Sequence, residues 1–397
     1  MKIEFPKNFI WGTSTAAYQI ESASNHDWKG VKCKDGTIFD KCSMHDSHRE
    51  EDLEYICQLS PWYRMSLDWA KLQQTPFGEF DPQAVEEYLQ FFENLRKKGE
   101  KIMLVLHHFT NPIWFSKTGG FENKENNPAF LDYVKKMVLT FGHFADLWNT
   151  FNEPMVYISN GWIMGNFPPF KKGKILLARR VLKNISQCHN EAYDIIKSRF
   201  PETPIGISKN TVKFVGEVFP GHILAKIFDY WFMDYGSKHF TKVDFQGLSY
   251  YCRMPFRPLP VTEIDNPGEL AKLGRRHDGM WEYKPEEFYH ILHRFWKMYK
   301  KPIIITESGV CTHDANFRIE SIKEYLYWIH KAIEDGIDVR GYFHWSTIDN
   351  HEWNLGTAYK FGLVSINFDT MERTMTSAGL FLSEVSKNNS LEVNESY

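Results

Sequence analysis

The stretch DPQAVEEYLQFFENLRKKGEKIMLVLHH, Asp81–His108, holds one full period of the pattern that decides the fold. Asp81 is a natural helix N-cap, Pro82 fits the first turn, and Gly99 is a stop. Apolar residues between them recur at helical spacing. KIMLVLHH follows, a short and almost wholly apolar run that reads as a buried strand ending in two histidines.

Outward from this unit the same alternation fills the chain. Strand-like runs begin at Phe9 (FIWGTST), Tyr63 (YRMSLDW), Lys101, Leu147 (LWNTFNE), Pro204 (PIGISKN), Phe245 (FQGLSYY), Pro302 (PIIITESG) and Val339 (VRGYFHWS). Helical spacing occupies Asp81–Gly99, Pro128–Ala145, Lys174–Phe200, Pro285–Tyr299 and Ile319–Gly336, with Thr374–Lys387 as the last helix. Eight strand-then-helix units imply parallel strands joined by crossovers, and eight can close into a (β/α)₈ TIM barrel. A doubly wound open sheet is the alternative. It lacks support here, because Gly12-Thr13-Ser14 after the first strand is no dinucleotide fingerprint. The expectation is an α/β fold with one barrel domain over residues 1–397, a long polar loop at Ser22–Ser47 and a frayed tail over 388–397.

Charge and cysteine content narrow the function. The chain has 397 residues, with 47 Lys and Arg against 50 Asp and Glu, so its net charge is −3. No basic excess points to nucleic acid. No run of about 18 apolar residues could span a bilayer, and the start MKIEFPKNFIWG lacks a long apolar leader segment. A cytoplasmic protein without a membrane partner is expected. The 6 cysteines form no C-x-x-C pair and read as reduced thiols rather than a disulfide frame or metal site. Aromatic residues reach 16%, which suits a large aromatic core and also a cleft of flat apolar faces for sugar rings.

Barrel chemistry sits at the C-terminal ends of the strands. Those ends carry Gln19 and Glu21, Arg64 and Asp68, His107 and His108, Asn152 and Glu153, Tyr250 and Tyr251, Glu307, and His344 with Trp345. Glu153, in TFNEP, closes the fourth strand and Glu307, in IIITESG, the seventh. In a barrel these strands face each other across the lumen. Two carboxyl groups flanking one sugar are what glycoside hydrolysis requires, one protonated to release the leaving group and one ionised.

The runs FPKNFIWGTSTAAYQIE, YRMS, TFNEP, ITESG, GYFHWSTIDNHEW and KFGLV together resemble glycoside hydrolase family 1, the retaining β-glucosidases and β-galactosidases. The resemblance covers nearly the whole chain. It implies an exo-acting β-glycosidase with Glu153 as acid/base and Glu307 as nucleophile. Arg64 and Tyr251 would contact the nucleophile, and Asn152 would hold the sugar 2-hydroxyl. Gln19, His108, Glu352 and Trp353 would read the other hydroxyls. Trp345 would lie under the ring, and Trp281 on the leaving-group side. Retention implies carboxyl groups roughly 5–5.5 Å apart. The substrate would be a small β-glycoside, a β-glucoside first, with β-galactosides and β-fucosides served by the same residue set. No cofactor or metal is called for.

The pattern departs from the family at Ser308 and Ser249, where Asn is usual, and at Phe109, where Trp is common. Serine makes fewer hydrogen bonds than asparagine. The chain is also short for the family, with missing length ascribed to Ser22–Ser47 and to Asn210–Phe245. A more open entrance for bulky leaving groups is therefore expected. Glu352 opposes a phosphorylated sugar, although Lys360 is near in sequence. Two other readings stand beside the hydrolase: a catalytically impaired sugar-binding protein, and a transglycosidase. His107 and the pairs Arg179-Arg180 and Arg275-Arg276 are expected to be structural or solvated.

Overall fold

The computed structural model describes residues 1–217, 219–256 and 267–394. Its strands in chain order are β1 (Lys2–Glu4), β2 (Ile10–Ser14), β3 (Trp62–Ser66), β4 (Lys101–His107), β5 (Leu147–Asn152), β6 (Ile205–Gly216), β7 (Phe245–Phe256), β8 (Ile303–Ser308), β9 (Val339–Trp345), β10 (Val364–Ile366), β11 (Arg373–Met375) and β12 (Ser390–Glu392). Strands β2 to β9 pair in sequence order as a closed parallel barrel. Closure runs from Ile10 opposite Gly341 to Ser14 opposite Trp345. All eight runs read from the sequence are barrel strands, each starting within one residue of its expected position.

The apolar character of these strands follows from burial on both faces. Ile303, Ile304 and Ile305 are all buried. Met103, Leu147, Phe245, Ile304 and Phe343 form one tight cluster that fills the lumen. The approach is close enough that a Cβ on Gly12 would collide with the Phe343 ring, and one on Gly206 with Phe245. Above this apolar floor the inward positions turn polar, and the site begins there.

The helix Pro82–Lys97 starts as its sequence demands. Asp81 Oδ1 accepts from the Ala84 amide at 3.0 Å, and Gly99 stops the helix at φ 86°. Such a cap contributes about 1 kcal/mol.

Three expectations need correction. The Ser22–Ser47 stretch is a loop with one 3₁₀ turn at His45–Ser47, but it is polar only in composition. It buries Trp28 and Phe39 under Trp353, with ring centroids 5.1 and 6.1 Å from it. The tail is not frayed where it is described. Strand β12 pairs antiparallel with β1, and the Trp11 indole donates to Asn389 Oδ1 at 2.8 Å. Residues 395–397 lie outside the described residues. Finally, Asn210–Phe245 is not simply a trimmed loop. Strands β6 and β7 run past the barrel and stay paired as far as Gly216 opposite Phe256. A helix, Gly221–Asp229, packs on this ribbon, with Phe228 4.8 Å from Phe256.

Candidate active site

The site residues come from the upper parts of the barrel strands and from the segments that follow them, and a single guanidinium organises them. Arg64, on β3, is fully buried. Its Nη1 donates to Glu307 Oε1 at 2.7 Å and to Ser14 Oγ at 3.3 Å. Its Nη2 donates to Asn152 Oδ1 at 2.5 Å and to Ser208 Oγ at 3.1 Å. Five strands, β2, β3, β5, β6 and β8, are thus tied at one point. A buried charge is stable only when paired and hydrogen-bonded, and Arg64 has both.

Glu307 ends β8 with its two oxygens divided between two donors. Oε1 takes Arg64, and Oε2 accepts from the Tyr251 hydroxyl at 2.9 Å. Burial pushes its carboxyl pKa up, while Arg64 and Tyr251 pull against that. Gly309, two residues on, has a structural reason: a Cβ there would collide with the Trp345 carbonyl.

Glu153 sits just past β5 in the left-handed region, φ 41° and ψ 58°. A non-glycine residue there costs roughly 1–2 kcal/mol. The strain turns the chain from strand into the helix Pro154–Ile158 and holds the carboxyl at the mouth. Its backbone amide is fixed by Ser208 O at 2.9 Å. Burial, then repulsion from Glu307, raises the Glu153 pKa to about 8. Asn210 Nδ2 donates to its Oε1 at 3.2 Å, and Asn210 and the Ser249 hydroxyl both pull against that rise. The environments therefore split the pair: a cation and a phenol favour charge on Glu307, and Glu153, hydrogen-bonded only by neutral groups, keeps the proton.

Asn152 and His108 continue the chain of bonds. Because Asn152 Oδ1 accepts from Arg64, its Nδ2 is free to donate to His108 Nε2, at 3.0 Å. The His108 proton then belongs on Nδ1, which has no partner in the protein. Burial, with Arg64 nearby, holds His108 neutral by lowering its pKa well below normal. Gln19 Nε2 donates to Asn350 Oδ1 and the His351 carbonyl, at 3.0 and 2.9 Å, and reaches Glu352 Oε2 at 3.5 Å. Gln19 Oε1 is buried without a protein partner. Burial and the charge of Glu307 raise Glu352 to a pKa of about 8. Polar atoms held rigidly but left unpaired at one face are suited to the hydroxyls of a polyol ring.

Aromatic rings border these groups. Trp345 lies 5.9 Å from His108, and Trp353 stacks on the same imidazole at 5.8 Å. Trp281 lies 5.6 Å from Tyr251 and 6.4 Å from Phe361. All eleven residues singled out from the sequence thus join one connected network. His107 does not enter it. It is buried among Phe121, Phe151 and Tyr157 and hydrogen-bonds Asn111. Among the described residues, no group of three His, Cys, Asp or Glu side chains is arranged for a metal.

A glycosyl hydrolase family 1 model matches residues 1–216 and 237–391. The chain belongs to glycosyl hydrolase family 1. Beta-glucosidase A of Thermotoga maritima is 28% identical over 449 residues, covering 98% of this chain and 99% of that protein. A 6-phospho-beta-glucosidase of Bacillus subtilis is 27% identical, covering 96% and 97%. Among solved structures, a beta-glycosidase from Pyrococcus horikoshii superposes with TM-score 0.88 at 28% identity, covering 99% of this chain and 97% of that one.

Within this family 1 frame, four contributors were not read from the sequence. Asn210 stands opposite Ser249 in the β6–β7 register. Ser249 is buried, and its hydroxyl helps to lower the Glu153 pKa. The amide that steadies Glu153 therefore comes from the neighbouring strand. Asn210 ends the run PIGISKN, so the strand-end rule that found the others applied to it as well. Ser14, Asn149 and Ser208 gave no such signal. Asn149 Nδ2 donates to Ser208 Oγ at 2.7 Å, which fixes the oxygen that Arg64 uses. Ser308 keeps a buried hydroxyl with no hydrogen-bond partner. Phe109 takes φ 64° and packs 5.0 Å from Trp353. Lys360 turns away from the sugar-reading groups, towards Asp349 at 3.4 Å and the Phe368 ring at 4.2 Å.

Proposed function

We propose that this enzyme removes a terminal β-linked sugar from small glycosides, β-glucosides first, with retention of configuration. The observation that carries the reading is the unequal setting of two buried carboxyl groups. Glu307 is held by the cation Arg64 and by Tyr251, and Glu153 by the neutral donors Asn210 and Ser249. In this reading Glu307 attacks the anomeric carbon while Glu153 gives its proton to the leaving oxygen. The resulting glycosyl ester on Glu307 is then broken by water, with Glu153 taking the water's proton. Asn152 lies on the nucleophile side and fits the 2-hydroxyl contact, which strengthens as the transition state forms. His108, Gln19, Glu352 and Trp353 fit the remaining hydroxyls, Trp345 the ring face, and Trp281 the leaving group. Lys360 gives no cation beside Glu352, so an unphosphorylated sugar is favoured. The amide of Asn210 on Glu153 counts against an impaired, purely sugar-binding role.

A panel of nitrophenyl glycosides tests this: β-glucoside, β-galactoside, β-fucoside, β-mannoside, 6-phospho-β-glucoside and α-glucoside. Turnover of the β-glucoside, with none of the α-glucoside, is expected. Turnover confined to the 6-phospho substrate would contradict the assignment of Glu352, and silence from folded protein would contradict the hydrolase reading.

The pH profile carries a second test. Glu153 works protonated, so kcat/KM should fall above about pH 8 as that group ionises. Protonation of Glu307 should produce the acid limb. Asn210→Ala removes a donor that favours ionised Glu153. Its alkaline limb should move to higher pH, with a several-fold loss in rate. An unmoved limb in that variant would detach Asn210 from Glu153.

A further inference from the structure

We propose that the rim of the barrel mouth is a docking surface for an anionic lipid bilayer. The inference rests on the glycosidase reading only for the substrate class it suggests. Two segments build the rim. One follows Glu153 and runs from residue 159 to the start of the helix Ile175–Arg199. The other is the helix Gly221–Asp229 on the β6–β7 ribbon. Both follow the C-terminal ends of barrel strands, so both border the entrance. Tyr235, which follows the second, joins them: Arg179 lies over its ring at 5.5 Å and donates to its hydroxyl at 3.4 Å.

The surface is apolar where solvent should favour polar groups. Leu176 is 80% exposed and Phe219 77%. Met164, Phe170 and Ile175 are exposed on the first segment, Ile223 and Ile227 on the second, and Tyr230 just after it. Exposed apolar clusters of this kind mark interaction sites.

The charge around the first segment has one sign. From Pro154 to Asn190 the sequence holds no Asp or Glu, yet it holds Lys171, Lys172, Lys174, Arg179, Arg180 and Lys183. Lys171 is engaged by Glu122; the other five make no ion pair with a described carboxylate. Asp229 and Asp234 on the second segment are both taken by Arg294. The rim is therefore net cationic in a chain whose total charge is −3. Exposed apolar side chains among uncompensated cations fit an anionic interface, where the apolar groups enter the acyl boundary and the cations meet headgroups. The family model leaves residues 217–236 unmatched, so part of this surface lies outside the pattern that defines the family. No helix among the described residues is long and apolar enough to cross a membrane; the contact is with the surface. Arg179 and Arg180 are exposed, as read from the sequence. With its mouth against a bilayer, the enzyme would meet glycosides whose aglycone is anchored there.

Co-sedimentation of the full chain with vesicles tests the proposal. Binding is expected to phosphatidylserine-rich vesicles, not to pure phosphatidylcholine, and should fall with added salt. Arg179→Glu with Arg180→Glu should weaken it at least about twenty-five-fold, from roughly five-fold per cation removed. Leu176→Ser with Ile227→Ser should weaken it separately. Neither pair should change turnover of a soluble nitrophenyl β-glucoside, which reports folding and catalysis independently. A long-chain alkyl β-glucoside carried in the vesicles should be cleaved faster with phosphatidylserine present, and the arginine pair should abolish that gain. Absence of binding to anionic vesicles, binding by both double variants as tight as the parent's, or binding to heparin but not to vesicles would overturn the proposal. Vesicle binding with no glycoside turnover would support the docking surface and fault the hydrolase reading.

Discussion

Glu307→Gln should leave a folded protein with almost no activity, a loss on the order of 10⁴- to 10⁶-fold in kcat, as for removal of other enzymic nucleophiles. The fold should survive because the replacement keeps the bonding shape. The amide oxygen still accepts from Arg64 Nη1, and the Tyr251 hydroxyl can rotate to accept from the new amide. What disappears is the lone pair that forms the glycosyl ester and the charge opposite Arg64. Circular dichroism should match the parent while nitrophenyl β-glucoside turnover vanishes. Retained turnover would remove Glu307 from the nucleophile's role.

Glu153→Gln should produce a loss that depends on the leaving group. Glycosides with poorly acidic leaving groups need a proton at the departing oxygen, and general acid catalysis of this kind supplies about 10²–10⁴-fold. Their kcat/KM should fall by that factor. A dinitrophenyl glycoside departs without a proton, so its kcat/KM should change little. Its kcat should still drop, because water attack on the ester has lost its base. The alkaline limb near pH 8 should also disappear. Equal losses for both substrate types would show that Glu153 is not the acid.

How far the sequence reached depends on the physics of each element. The barrel was readable because strands buried on both faces must be apolar, and helices between them need caps and stops, as Asp81 and Gly99 provide. Glu153 and Glu307 were readable because a charged residue closing an apolar run has no core role, and Arg64 because a charge inside a buried strand needs a partner. Ser208 and Asn149 were not, since a small polar residue within a strand has no distinctive neighbours. Their roles depend on the irregular β5–β6 register between Asn149 and Asn152, and local pattern does not encode such a shift. The β1–β12 clasp joins two three-residue strands nearly a chain length apart, too short for any periodicity. Trp28 and Phe39 escaped notice because a loop's polar average conceals two buried rings. The cationic rim was visible as a run without Asp or Glu. Only exposure of Leu176 and its neighbours gave it meaning.

The central claim is that two buried carboxyl groups with different partners carry out a double displacement. Proton NMR of the first sugar released from a β-glucoside measures this directly. The account predicts that the β-anomer appears first and mutarotates to the α-anomer afterwards. Initial release of the α-anomer would mean a single displacement by water, and would contradict the assignment of Glu307 as nucleophile.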